Sequence, residues 1–198
     1  MLRRWVATLG MAAAAVVVVG CSSAKAGGAR PAADSSTASS GTNTPSTAPP
    51  ITHPLDASGL VTKPCAALSP SDLAGLGVTN PIDGADHDAN GAGCTWTGDT
   101  GGTVGVSWET TNTHGLADLY VKKSTFAYWI PTTIAGYPGV YGDSLGDQRA
   151  NGDCVVNVGV SDHLAFFAED NDPDNAPQDC RLSGRVAADV IATLKAGA

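Results

Sequence analysis

Cys154-Val155-Val156-Asn157-Val158-Gly159-Val160, followed across Ser161-Asp162-His163 by Leu164-Ala165-Phe166-Phe167-Ala168, is the stretch that decides the fold. Cys154, Val156, Val158 and Val160 recur at every second position, and Leu164, Phe166 and Ala168 repeat the pattern. A period of two places each set on one face of a strand. The short polar connection makes the pair a β-hairpin with one apolar face.

Downstream, an acidic loop is expected to run to Asp179. Beyond it Leu182, Val186, Val190 and Leu194 recur at four-residue steps, with Ala187 and Ile191 widening the stripe. That is one face of a helix, and the face must pack on the sheet. Upstream, Val104, Val106 and Trp108 alternate with Thr103, Gly105 and Ser107, a half-buried strand joined through Gly101-Gly102 to a strand beginning Cys94-Thr95-Trp96. Leu116, Leu119 and Tyr120 fall at helical spacing within 115–123, whereas 124–130 fits helix or strand. Pro131, Gly136, Pro138 and Gly139 are expected to break the chain. Ser69-Pro70-Ser71-Asp72 reads as a helix start, with Ser69 at N-cap, Pro70 at N1 and Asp72 at N3, and Gly77 ends that short helix. Between it and Cys94, residues 80–93 read as a polar loop. The element order predicts an α+β fold, a mainly antiparallel sheet packed by a C-terminal helix and two shorter helices.

Cys65, Cys94, Cys154 and Cys180 form an even set. Four cysteines allow three connectivities. The expected pairs are Cys65–Cys94 and Cys154–Cys180, each closing a loop of roughly 25–30 residues, worth ~3–4 kcal/mol in the chain-entropy model. Without a Cys-x-x-Cys or a histidine at ligand spacing, a zinc site is disfavoured. Pro64-Cys65-Ala66-Ala67-Leu68-Ser69, Cys94-Thr95-Trp96, Cys154-Val155-Val156-Asn157-Val158 and Cys180 before a Val/Ala/Leu helix together resemble the actinobacterial lipoprotein family called domain of unknown function 3558. The resemblance covers about Lys63 to Leu194. It implies an envelope location and four paired cysteines, and it brings no catalytic residues.

The N-terminus carries an address. Arg3 and Arg4 precede an apolar run ending Val18-Val19-Gly20-Cys21. That is the layout of a secretory signal peptide. The run is too short, at about 10–15 residues, to span a bilayer. The ending resembles a bacterial lipobox, which implies lipidation of Cys21 after removal of residues 1–20. Two or more acyl chains anchor stably, at ~0.8 kcal/mol per buried methylene. Residues 21–62 are rich in Ser, Thr, Ala, Gly and Pro and lack aromatics, the composition of a disordered tether spanning roughly 35 Å. Thr44-Pro45-Ser46-Thr47 suits O-glycosylation. Ten of the eleven aromatic residues lie at or beyond Trp96. Residues 63–198 are therefore expected to form a single domain. The formal charge is −8, and removal of Arg3 and Arg4 would leave −10. Nucleic acid and anionic lipid surfaces repel such a domain.

Three motifs invite chemistry. Gly142-Asp143-Ser144-Leu145-Gly146 matches Gly-x-Ser-x-Gly, and its first four residues resemble the nucleophile block of the lipase/esterase family named after them. A serine nucleophile needs a strand-to-helix turn, a histidine base and an orienting acid. Residues 146–152 are too broken for that helix, and His163 is the only later histidine. A Gly-rich surface loop accounts for the stretch more simply. Asp170-Asn171-Asp172-Pro173-Asp174-Asn175 resembles half a calcium loop, but Arg181 stands where the bidentate Glu belongs. Asp83, Asp86, His87 and Asp88 have the makings of a metal corner, and more simply a polar loop. His53 and His114 have no evident partner. Trp129, Tyr137 and Tyr141 suit either a ligand groove or the end of the core.

The expectation is a lipid-anchored extracytoplasmic module at the cell membrane, with no catalytic activity and no cofactor. Its partner is expected to be an envelope protein or a small apolar ligand. The alternatives are a serine hydrolase using Ser144 and a calcium-stabilised domain using Asp170–Asp174.

Overall fold

β7 (Asp153–Ser161) and β8 (Leu164–Asn171) form the predicted hairpin at the centre of one antiparallel sheet. A computed structural model describes residues 48–81, 86–87, 91–173 and 180–197 of the chain. Among these the other strands are β1 (Val78–Pro81), β2 (Asp86–His87), β3 (Ala92–Gly98), β4 (Thr103–Trp108), β5 (Ile130–Ile134) and β6 (Tyr137–Tyr141). Their order is β1-β3-β4-β8-β7-β6-β5, and β2 pairs with β3.

Directly opposed residues share a face, so the register sorts the side chains. Val106 faces Ala168, Ala168 faces Val156, and Trp108, Phe166 and Val158 form the next row. These residues are fully or almost fully buried. α4 (Arg181–Lys195) lies across β8, β7 and β4 on this face, with Val186, Ala187, Val190 and Ile191 wholly buried. The rest of the face is covered by α1 (Ser58–Thr62), a 3-10 turn at Pro64–Ala67, and α2 (Pro70–Leu76). α2 starts as predicted: Ser69 accepts from the Asp72 N–H, and the Asp72 carboxylate accepts from the Ser69 N–H. Cys65–Cys94 ties the 3-10 turn to β3, and Cys154–Cys180 ties β7 to the start of α4, with Cα–Cα distances of 5.0 and 5.4 Å.

α3 (Leu116–Val121) covers part of the opposite face. Leu116, Leu119 and Tyr120 pack there on Val140 and Ala165. Tyr120 and Phe126 each meet Trp129 edge-on at 5.0 Å. Trp129 thus belongs to this second core. Tyr137 belongs to the first, and Tyr141 packs against it with its hydroxyl towards Gly184 of α4. The three aromatics do not form one groove.

Four expectations need correction. Residues 80–93 are not all loop: β1 runs to Pro81, and β2 pairs Asp86 and His87 with Gly93 and Ala92 at the start of β3. The folded unit reaches upstream of Lys63: Ala57 and Leu60 are buried, Ile51 and Leu55 pack on the core, and Leu55 N–H donates to Val160 O. A short apolar set within a Ser/Pro-rich run is enough, because the sheet supplies its partners. Residues 131–139 do not break the chain but form the β5–β6 hairpin. Pro131 lies on the outermost strand, and the β6–β7 ladder starts at Gly139, just after Pro138, so neither proline removes a ladder hydrogen bond. Finally, β8 continues through Asn171, which places Asp170 in the core rather than in an acidic loop. Cys21, residues 1–47, Asp83, Asp88 and Asp174–Asp179 lie outside the described residues.

Candidate functional site: a groove on the open face of the sheet

Alternation that buries Val156, Val158, Phe166 and Ala168 turns Val155, Asn157, Phe167 and Glu169 to the other face. Val155 stands opposite Glu169, and Asn157 opposite Phe167. These four floor a groove of about 330 Å³ that α3 leaves uncovered. Leu119, Lys122, Thr125 and Phe126 form one wall, and the loop from Gly142 to Leu145 forms the other. Glu109 and Asn112 stand at the β4 end.

The walls are fixed by hydrogen bonds. Asn157, almost wholly buried, donates from Nδ2 to Gly142 O at 3.0 Å. Gly142 N–H donates to Val155 O, and Ala127 N–H donates to Asp143 O. Leu145 N–H donates to the Asp143 carboxylate at 2.7 Å. A Cβ on Gly142 would come within 2.9 Å of Tyr128 O and 3.0 Å of the Phe126 ring, so glycine lets the two walls approach. Behind the loop, Arg149 stacks on Tyr128 at 4.1 Å and pairs with Asp147 at 2.6 Å. Burial pushes the Tyr128 phenol up to about 12, so it stays protonated. At the lip, the Leu145 side chain is 93% exposed.

The groove is acidic. Its charged lining is Glu109, Asp143, Asp153 and Glu169 against one cation, Lys122. Asn112 links the two signs, donating to Glu109 Oε2 and accepting from Lys122 Nζ, both at 3.2 Å. Burial, then the charge of Asp143, raises the Asp153 carboxyl above its ordinary range. Glu169 lies over Gly105, where a Cβ would meet its Oε1 at 2.6 Å. Among the described residues no three His, Cys, Asp or Glu groups converge to hold a metal ion.

Ser144 is an exposed residue of the loop wall, in a bend followed by no α-helix, only a 3-10 turn at Arg149–Asn151. Gly142 pairs with Val155, whereas His163 lies in the turn after Ser161, where its Nδ1 lies 3.2 Å from Thr113 O. At about 3.3 Å per residue, the intervening length of β7 separates Ser144 from His163 by on the order of 20 Å. His114 and His53 lie at the His163 end: His114 adjoins Thr113 and pairs with Asp118 at 3.1 Å, and His53 O accepts from Tyr137 OH. His87 is on β2 at the far side of the sheet. The structure brings no described histidine to Ser144. In the calcium-like stretch, Asp170 Oδ1 already accepts from Ser183 N–H, within the core.

No helix among the described residues is long and apolar enough to cross a membrane. No curated protein and no solved structure matches the chain significantly. The model of one family, Protein of unknown function (DUF3558), matches residues 16–193, and the chain belongs to that family.

Proposed function

We propose that the protein is a non-catalytic binding module held at the outer face of the cell membrane by lipid on Cys21, and that its partner enters the groove floored by β7 and β8. The observation that carries this is the groove itself. It is concave, within the size range of small-molecule sites, and shaped by hydrogen bonds that exist before any ligand arrives. The separation of Ser144 from His53, His114 and His163 favours binding over hydrolysis, since a serine without a base within hydrogen-bond reach is a weak nucleophile. The sequence up to Cys21 supports the anchor.

Two measurements test this. Cys21→Ala should abolish lipid labelling and membrane retention; a variant that still sediments with salt-washed membranes removes the anchor from the proposal. The groove is tested with Val155→Trp, which fills the floor from the open face without touching the α4 core. Small molecules released from the full chain purified from its native envelope should be missing from the variant at unchanged melting temperature. Equal recovery from both proteins would place the partner elsewhere.

A further inference from the structure

We infer that the ligand of the groove is a small organic cation, an ammonium or guanidinium group carried on an apolar body. This rests on the groove being the binding site and adds the chemistry of what binds there. Four carboxylates face one lysine across a space of about 330 Å³; the apolar part of the lining is Leu119, Phe126, Val155 and Phe167 with Leu145 at the lip, and Thr111, Asn112, Thr125, Ser144 and Asn157 add neutral polar groups. A ligand matching both halves of that lining has an apolar part and a positive charge.

Position sharpens the choice. Asp153 and Glu169 come from adjacent strands on the floor, Asp143 from the loop wall, and Glu109 from the β4 end. They do not converge as metal ligands do. Carboxylates spaced along a trough of mixed lining, with Phe126 and Phe167 among its apolar groups, suit a charge carried on a carbon frame, which also offers cation–π contact to those two rings. Lys122 is tied to the Glu109 end of the groove through Asn112, which donates to Glu109 and accepts from Lys122. Asp153 carries the mark of crowding: burial and the neighbouring Asp143 both oppose its ionisation. A bound cation would relieve that repulsion, so ligand binding and ionisation of Asp153 reinforce one another. An anionic or purely apolar occupant would enlarge the mismatch.

The probe is 2-phenylethylammonium, titrated calorimetrically into the full chain, with 3-phenylpropanoate as a partner of similar shape and opposite charge. The ammonium should bind saturably and more weakly as salt rises, with the carboxylate at least about tenfold weaker. Asp153→Asn with Glu169→Gln should weaken the ammonium at least about tenfold, and Asp162→Asn, at the other end of β7, should leave it unchanged. Asparagine and glutamine keep an amide oxygen at the place of each carboxylate, including the one that accepts from Asn171, and the pair removes like charges, so the denaturation midpoint should stay close to that of wild type, which separates lost binding from lost folding. Equal affinities for the two probes, both lost in Val155→Trp, would overturn the cation assignment and leave the groove as a binding site. Ammonium binding insensitive to Val155→Trp would overturn the site as well. No binding of the ammonium overturns the cation assignment, and recovery from the native envelope then decides the groove on its own.

Discussion

The carboxylate of Asp170 on β8 accepts a 2.9 Å hydrogen bond from the backbone N–H of Ser183, in the first turn of α4, and both residues are wholly buried. α4 has no side-chain cap of its own. Its N-cap residue, Cys180, is held at φ 62 and bonded to Cys154, the residue opposite Asp170 in the β7–β8 ladder. The sheet therefore supplies both the cap and the covalent tie for the helix that covers it. A carboxylate also suits the positive end of the helix dipole.

That arrangement predicts a pH dependence. Asp170 Oδ2 has no hydrogen-bond partner among the described residues, and burial pushes the carboxyl up to about 6 from an ordinary 3.8. Between those values the folded state holds a proton that the unfolded chain releases. The stability this group contributes is full below its ordinary value and is lost as pH rises through about 6. The span corresponds to at most ~3 kcal/mol. Asp170→Asn keeps an acceptor for Ser183 and cannot titrate. Urea unfolding of both proteins should show wild type gaining ~2 kcal/mol on the variant as pH falls from about 7.5 to about 4.5. A constant difference would mean that Asp170 titrates as an ordinary carboxyl.

The docking of α4 gives a second prediction. Val190 is wholly buried between the helix and the sheet, so Val190→Asp places an unpartnered charge in the core. The expected cost is several kcal/mol, comparable to the whole stability of a domain this size. Arg185, on the exposed side, donates from Nη2 to Gly75 O at 2.8 Å and so links α4 to α2. Arg185→Ala should cost only about 0.5–1 kcal/mol. Similar denaturation midpoints for the two variants would mean that the apolar stripe is not what holds the helix.

The disulfides separate two local effects. They close spans of 29 and 26 residues, so loop entropy alone makes them nearly equal, at ~3–4 kcal/mol each. Cys154–Cys180 also fixes the N-cap of α4 in a left-handed conformation. Its removal should speed amide hydrogen exchange in the first turns of α4. Removal of Cys65–Cys94 should instead affect the 3-10 turn and β3. Uniform faster exchange after either change would show that the bridges act only on the unfolded chain.

What was legible in the sequence followed from strong periodicity. The buried phases of β4, β7 and β8, the Ser69 capping box and the α4 stripe announce themselves, because burial selects apolar residues at fixed spacing. The Cys pairs followed from loop length. The groove was less visible, although its floor lies in two of the same strands. Asp153, Val155, Asn157, Phe167 and Glu169 occupy the opposite phase of the hairpin, and an open face imposes no uniform chemistry to read. Glu109 and Asp143 join them only through sheet topology. Ser144 stands in the recognisable motif, while its neighbour Asp143 brings charge to the groove lining. In 131–139 the apolar position Ile134 shares a face with Tyr137 and Tyr141 only across the turn, so the three show no simple period, and the effect of the prolines depends on which way the missing N–H would point.

The β5–β6 turn carries the last prediction. Ile134 and Tyr137 close a two-residue loop in which Ala135 has φ 47 and Gly136 has φ 93. Two positive values define a type I′ turn, the form whose twist matches the flanking strands. Glycine adopts this conformation freely, whereas alanine is strained there by ~1 kcal/mol. Asparagine tolerates it, and Asn-Gly is the favoured pair for this turn. Ala135 is exposed, and its one described partner, Lys195 Nζ, bonds to its backbone oxygen, which a substitution retains. Ala135→Asn should therefore stabilise the domain by about 0.5–1 kcal/mol, and Gly136→Ala should destabilise it by a similar amount or more. Urea midpoints at constant slope read the two effects directly. Opposite signs from adjacent exposed positions have no explanation in packing or charge. If Ala135→Asn instead lowered the midpoint, the turn would not be type I′, and the register that places Pro131 and Pro138 harmlessly in the hairpin would have to be redrawn.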